Sequence, residues 1–262
     1  MAHHVWIAVI LAALSLPPLV RAQTPDSGKN TLQIRGMDLE VYFYPATGRG
    51  AGAAPKVLFA PGDLGMHGLA ITIAETITSW GYDVYALDTR RYLASFTGMT
   101  PLSVAEVMGD FRQLVAWMRP APTERVALVG WSEGAGLCLL ATVGDERKNV
   151  FSGLITFGMT ESNTLAWRWS DLFSSLVKRD PHEPHFQSIQ YLAKVSPLPL
   201  LMIQSTGDQY VSVEVAKQLF AAAKEPKRFV LIEAQNHRFE GNQQEFYRAL
   251  REGLQWITQT VR

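Results

Sequence analysis

Gly130-Trp131-Ser132-Glu133-Gly134 sets a serine between two glycines, directly after the apolar run Arg125–Val129 and directly before a segment rich in Ala and Gly. A serine hydroxyl is a weak nucleophile until a base takes its proton and fixed donors stabilise the charge it creates. The G-x-S-x-G spacing suits that chemistry. Its glycines permit a sharp strand-to-helix turn that holds Ser132 out at the strand end, and the N-terminus of the helix that follows stabilises developing negative charge. The pentapeptide alone is a weak signal; its position between an apolar strand and a helix carries the reading.

A base and an acid must accompany the serine. Beyond residue 22 the histidines are His67, His182, His185 and His237. His237 lies in Ala234-Gln235-Asn236-His237-Arg238-Phe239, between the last strand-like run and the closing helix, and is the expected base. His182 and His185 fall in a proline-punctuated insert, where an H-x-x-H spacing is too bare to claim a metal. His67 reads as a helix-start residue. Asp208, in Ser205-Thr206-Gly207-Asp208-Gln209, ends the strand-like run Leu200–Gln204 and is the expected acid. The order Ser132, Asp208, His237 is the one α/β-hydrolases use. Glu161 is the runner-up acid, while Asp88 ends a strand that lies before the nucleophile.

The oxyanion donors then fall on the backbone N–H of Glu133 and on that of Asp63 or Leu64, in the glycine-rich loop Pro61–Gly65. Donors fixed in place before the charge appears contribute about 3 kcal/mol each. Glu133 either favours a cationic acyl group or is a solvent-facing carboxylate at a helix N-terminus. Trp131, Trp167 and Trp169 are the candidate pocket residues. Cys138, inside the helix after Ser132, reads as a small core residue rather than a nucleophile. No metal and no organic cofactor is called for.

The elements that must hold these residues alternate strand and helix. Short strands are expected at 31–35 and 39–44, as an opening hairpin, then at 56–60, 83–87, 125–129, 150–157, 200–204 and 228–232. Helices are expected over 69–80, 101–118, 133–143, 212–223 and 242–257. Apolar strands of this kind belong to a mostly parallel sheet covered on both faces, so the fold class is a doubly wound α/β domain. The long gap from Gly158 to Pro199 is expected to form a helical cap over the site, with apolar residues at helical spacing from Thr164 onward.

Composition narrows the function classes. The 262 residues carry 24 Lys or Arg, 24 Asp or Glu and one cysteine, with 47% hydrophobic residues. Balanced charge argues against a nucleic-acid partner, and a single cysteine excludes an intramolecular disulfide. Val5–Leu16 is almost wholly apolar, Pro17-Pro18 follows, and Val20-Arg21-Ala22 offers a cleavage site. This is the layout of a signal peptide, although the n-region lacks Lys and Arg. The run is too short to span a bilayer comfortably as an anchor. Residues 1–22 are therefore expected to be removed during export to the periplasm or medium, leaving one domain over 23–262.

From Lys56 to Ile257 these residues resemble the α/β-hydrolase superfamily. Within that stretch, Leu87-Asp88-Thr89-Arg90-Arg91-Tyr92, Thr100-Pro101, Asp110 and Trp117 resemble the periplasmic VirJ/AcvB-type virulence hydrolases, with departures at Trp131, Glu133 and the Pro61–Gly65 loop. The resemblance implies hydrolysis of an acyl ester at the cell envelope. The expected function is an exported serine esterase acting on a small-molecule or lipid ester, with peripheral membrane contact left open. The alternatives are an aminoacyl-phospholipid hydrolase, an amidase or peptidase, and a non-catalytic binding protein of the same fold.

Overall fold

The computed structural model describes residues 25–47, 54–98, 101–119, 123–144, 147–168 and 183–259. The expected signal peptide lies outside these residues. So do Trp169, His182 and the middle of the Gly158–Pro199 insert.

One eight-stranded sheet organises the chain. Its strands are β1 (Gly28–Ile34), β2 (Met37–Tyr44), β3 (Lys56–Ala60), β4 (Asp83–Leu87), β5 (Val126–Trp131), β6 (Phe151–Phe157), β9 (Leu200–Ser205) and β10 (Lys227–Ile232). The spatial order is β1-β2-β4-β3-β5-β6-β9-β10. β2 runs antiparallel to both β1 and β4, and the strands from β4 to β10 are parallel. This is the doubly wound, mostly parallel arrangement of an α/β-hydrolase.

The central strands β3, β6 and β9 are buried along their whole length. Neighbouring side chains on a strand face opposite sides of the sheet, so each strand feeds two cores. Leu58, Leu128, Leu154 and Met202 join helices α3 (Val104–Met118) and α4 (Glu133–Ala141) on one side. Val57, Val129, Ile155 and Ile203 pack on the other, beneath α1 (Leu69–Ser79) and the closing helix (Gln243–Gln259). Helix α1 buries Ala70, Ile73, Ala74, Ile77 and Thr78, the i, i+3, i+4, i+7, i+8 stripe of a helix lying on a sheet.

Three local features differ from the sequence expectation. Helix α3 begins at Val104 rather than 101, because Ser103 and Glu106 form a reciprocal capping box. Helix α2 (Thr89–Ser95) was not expected; Asp88 starts it by accepting a hydrogen bond from Arg91 N at 3.0 Å. The ends of the insert pair as a short antiparallel ladder, β7 (Ser162–Thr164) with β8 (His185–Gln187). The helical spacing expected there falls mainly on residues outside the described set.

The residues behind the VirJ/AcvB-type resemblance have a structural task. Tyr92 Oη donates to Asp110 Oδ2 at 2.8 Å, and Arg35 makes a forked pair with the same carboxylate at 2.9 Å through Nε and Nη2. This joins the β1–β2 hairpin to α2 and α3.

Parallel strands place all their C-terminal ends on one edge of the sheet, where open α/β sheets bind ligands. At that edge Gly134 lets α4 run against β3, since a Cβ on it would overlap Ala60 O and Pro61 O. Gly134→Ala is therefore expected to lower the urea midpoint by the equivalent of about 1–3 kcal/mol, from overpacking.

Candidate active site

Strand β5 ends at Trp131 and α4 begins at Glu133, so Ser132 alone makes the turn. It takes φ 54° and ψ −123°, a conformation that costs a non-glycine residue about 1–3 kcal/mol unless its surroundings enforce it. They do so through backbone bonds. Ser132 N donates to Phe157 O on β6 at 3.1 Å, and Ala135 N donates to Ser132 O at 2.9 Å. The side chain is left on the sheet edge. Its hydroxyl donates to Glu133 Oε2 at 2.7 Å, so Glu133 is turned to the serine rather than simply to solvent.

The loop after β3 comes up beside this turn. Gly65 N donates to Gly62 O at 2.9 Å, closing a tight turn over Asp63 and Leu64. A Cβ at Gly62 would lie 3.3 Å from Ser132 Cβ and 3.9 Å from Glu133 Oε2. The loop carrying Asp63 and Leu64 and the first turn of α4 thus lie on either side of Ser132. Asp88, passed over as an acid, braces this loop from below. It is buried and accepts a long hydrogen bond from Met66 N at 3.5 Å.

Asp208 and His237 meet on the other side. Asp208 Oδ2 accepts the Nδ1 hydrogen of His237 at 2.7 Å, and their side chains are 1% and 7% exposed. The carboxylate also accepts from Gln204 Nε2 at 3.1 Å, Tyr210 N at 2.9 Å and Val211 N at 3.0 Å. Burial opposes ionisation of Asp208, but the His237 contact and the two backbone donors outweigh it and hold the carboxyl below its ordinary value. An ionised Asp208 only accepts, so Nδ1 carries the hydrogen and Nε2 is the basic nitrogen of the neutral ring. That nitrogen is buried and has no hydrogen-bond partner among the described residues.

The imidazole is fixed on its remaining sides. Trp131 stacks on it at 5.8 Å and Tyr210 meets it edge-on at 5.3 Å. His237 N donates to Gln209 Oε1 at 3.1 Å. Gly158 makes room for the ring, since a Cβ there would overlap His237 Cε1.

Ser132, His237, Trp131, Asp63 and Leu64 line one cavity of about 930 Å³. Glu161 stands on its wall, while Asp208 occupies the imidazole nitrogen that an acid would take. His67, read as a helix-start residue, precedes α1 and also faces the cavity. Trp167 does not belong to the wall. It is 7% exposed and packs in the α3–α4 core, with its backbone N donating to Thr97 Oγ1 at 2.8 Å. His185 lies on β8 with Nδ1 3.2 Å from Glu183 O. Cys138 is buried, and burial pushes its thiol above the ordinary value, in keeping with an inert core residue. Sequence reasoning missed Gln209, Tyr210 and Gly158; the first two directly follow the expected acid, which was the available signal.

Sheet order, turn and cavity define a serine hydrolase of the α/β-hydrolase class. The model of the prolyl oligopeptidase family, Peptidase_S9, matches residues 109–262, and the chain belongs to that family. Among curated proteins it is similar to Rv2307c of Mycobacterium tuberculosis, with 28% identity over 77% of this chain and 69% of that protein. It is also similar to YfhR of Escherichia coli K12, with 25% identity over 77% and 70%. Solved structures with the same fold include Est1E from Butyrivibrio proteoclasticus (TM-score 0.66, 14% identity, 88% of this chain and 99% of that one). The esterase domain of a Rhodothermus marinus protein is another (TM-score 0.60, 22% identity, 88% and 97%).

The Asp208 bonds also make a stability prediction. A carboxyl that ionises at lower pH when folded stabilises the fold at neutral pH, and that contribution is lost as pH falls through the folded value. The gap in urea midpoint between wild type and Asp208→Asn is expected to be widest at neutral pH and to shrink below about pH 4.

Proposed function

We propose that this protein hydrolyses carboxylic esters, with Ser132 as nucleophile, His237 as general base and acid, and Asp208 as the group that orients the imidazole. One observation carries the reading: the buried Asp208–His237 pair at 2.7 Å leaves the opposite ring nitrogen without a partner, on a residue that lines one cavity together with Ser132.

The steps follow from these positions. Ser132 Oγ turns from Glu133 towards His237 and attacks the carbonyl carbon as its proton passes to His237 Nε2. The oxyanion is met by the N–H groups of Glu133 and of Asp63 or Leu64. Collapse of the intermediate breaks the bond to the alcohol oxygen, which leaves with the proton from His237 and gives an acyl-enzyme. Water then attacks the acyl carbon, passing one proton to His237, and the acid departs as Ser132 Oγ recovers its hydrogen. Asp208 stays ionised throughout and stabilises the imidazolium.

Ser132→Ala is expected to abolish both fluorophosphonate labelling and hydrolysis of p-nitrophenyl esters. Asp208→Asn is expected to lower kcat about 10⁴-fold, because the ring then presents the wrong tautomer. Labelling that persists in Ser132→Ala would overturn the assignment. A graded series of acyl chains, run beside a peptide amide of matched size, separates esterase from peptidase activity. The apolar segment Val5–Leu16 followed by Val20-Arg21-Ala22 supports a site of action outside the cytoplasm. N-terminal sequencing of the protein purified from whole cells and from the exported fraction should then read Gln23 onward in the exported fraction, and a chain found only in the cytoplasm with Met1 retained would count against export.

A further inference from the structure

Glu133 puts a negative charge where the reaction must build another. Its Oε2 accepts the Ser132 hydroxyl at 2.7 Å and lies 3.9 Å from the position of a Cβ on Gly62, in the space between the serine and the loop that carries Asp63 and Leu64. A carbonyl oxygen has to enter that space, and its charge grows as Ser132 attacks. Two like charges a few ångströms apart repel one another. The same carboxylate directs the nucleophile's hydrogen away from His237 Nε2, which is buried and unpartnered. No Lys or Arg among the described residues forms an ion pair with Glu133.

The rest of the wall does not supply the missing positive charge. Glu161 and Glu240 line the cavity with Glu133, against Arg238 as the one Lys or Arg among the described lining residues. A neutral ester would therefore meet a parked serine and an uncompensated carboxylate. A substrate with its own cation would relieve both, because its charge would draw Glu133 off the hydroxyl and offset the carboxylate beside the oxyanion.

We propose that Glu133 makes this a hydrolase for esters that carry a cationic group close to the scissile carbonyl, and that it holds Ser132 in a resting position until such a group arrives. The proposal rests on the reading of Ser132 as nucleophile. It makes Glu133 a specificity residue whose backbone N–H and side chain have separate tasks.

An isosteric pair tests it: the phenyl ester of trimethylammonio-butanoate and its neutral analogue with carbon in place of nitrogen, each rate normalised to the ester's own hydroxide hydrolysis. Wild type is expected to prefer the cation by about tenfold or more in kcat/KM. In Glu133→Gln the ratio should fall to about one, and a neutral fluorophosphonate should label Ser132 faster than in wild type. Equal rates for the pair in wild type, or a preference that survives in Glu133→Gln, would overturn the proposal while labelling keeps the nucleophile assignment intact. Failure of wild type to react with either ester or with the fluorophosphonate would remove both readings. Should Glu133→Gln not fold, Glu133→Ser is read against the same two expectations.

Discussion

A serine can stand clear of a covered parallel sheet only if its backbone leaves the strand at once, and here that requires a positive φ at Ser132. The neighbouring structure is arranged around this constraint. β6 supplies the carbonyl that accepts from Ser132 N, and Gly134 lets α4 press against β3. The loop after β3 then arrives within van der Waals reach of the serine. Strands β3 and β6 are buried along their length, so the turn is held by parts that have no room to relax. The strain is local and its restraint is global. A serine positioned in this way does not depend on its own side-chain contacts for its place.

Two carboxylates govern the site, and their surroundings separate their tasks. Asp208 is surrounded by donors and shielded by the imidazole and by its own loop, so its charge is settled inside the protein. Glu133 has the Ser132 hydroxyl as its hydrogen-bond donor among the described residues. In the proposed mechanism one acid orients the base, while the other confronts whatever occupies the cavity. Trp131 stacks on both His237 and Phe157 and so ties the imidazole to the core beneath the closing helix.

Much of this was visible in the amino-acid order because the decisive signals are local. Apolar runs bounded by turns located the strands to within a few residues, and strand–helix alternation gave the sheet. Ser132, Asp208 and His237 were identifiable because each follows a strand in a parallel sheet, and such ends share one edge. What escaped depends on distant partners. β7 and β8 pair across more than twenty residues, and neither has a periodic pattern of its own. Trp167 looked like a pocket residue until its surroundings drew it into the core. Helix α2 is seven residues long and rests on one capping aspartate. The capping box at Ser103 and Glu106 was legible and would have moved the start of α3. The direction taken by the Glu133 side chain is a rotamer, which no pattern in the sequence encodes.

The order of these parts along the chain bears on how the protein is made. The loop after β3 and Ser132 are synthesised before either member of the acid–base pair, and His237 follows Asp208 by 29 residues. β9 and β10 join the sheet by parallel pairing, which brings together segments far apart in sequence and is slow for that reason. A lengthening chain thus carries an inert serine through most of its growth. On the proposed mechanism, chemical competence waits for the last strand and its loop, so completion of the sheet and onset of reactivity would be one event.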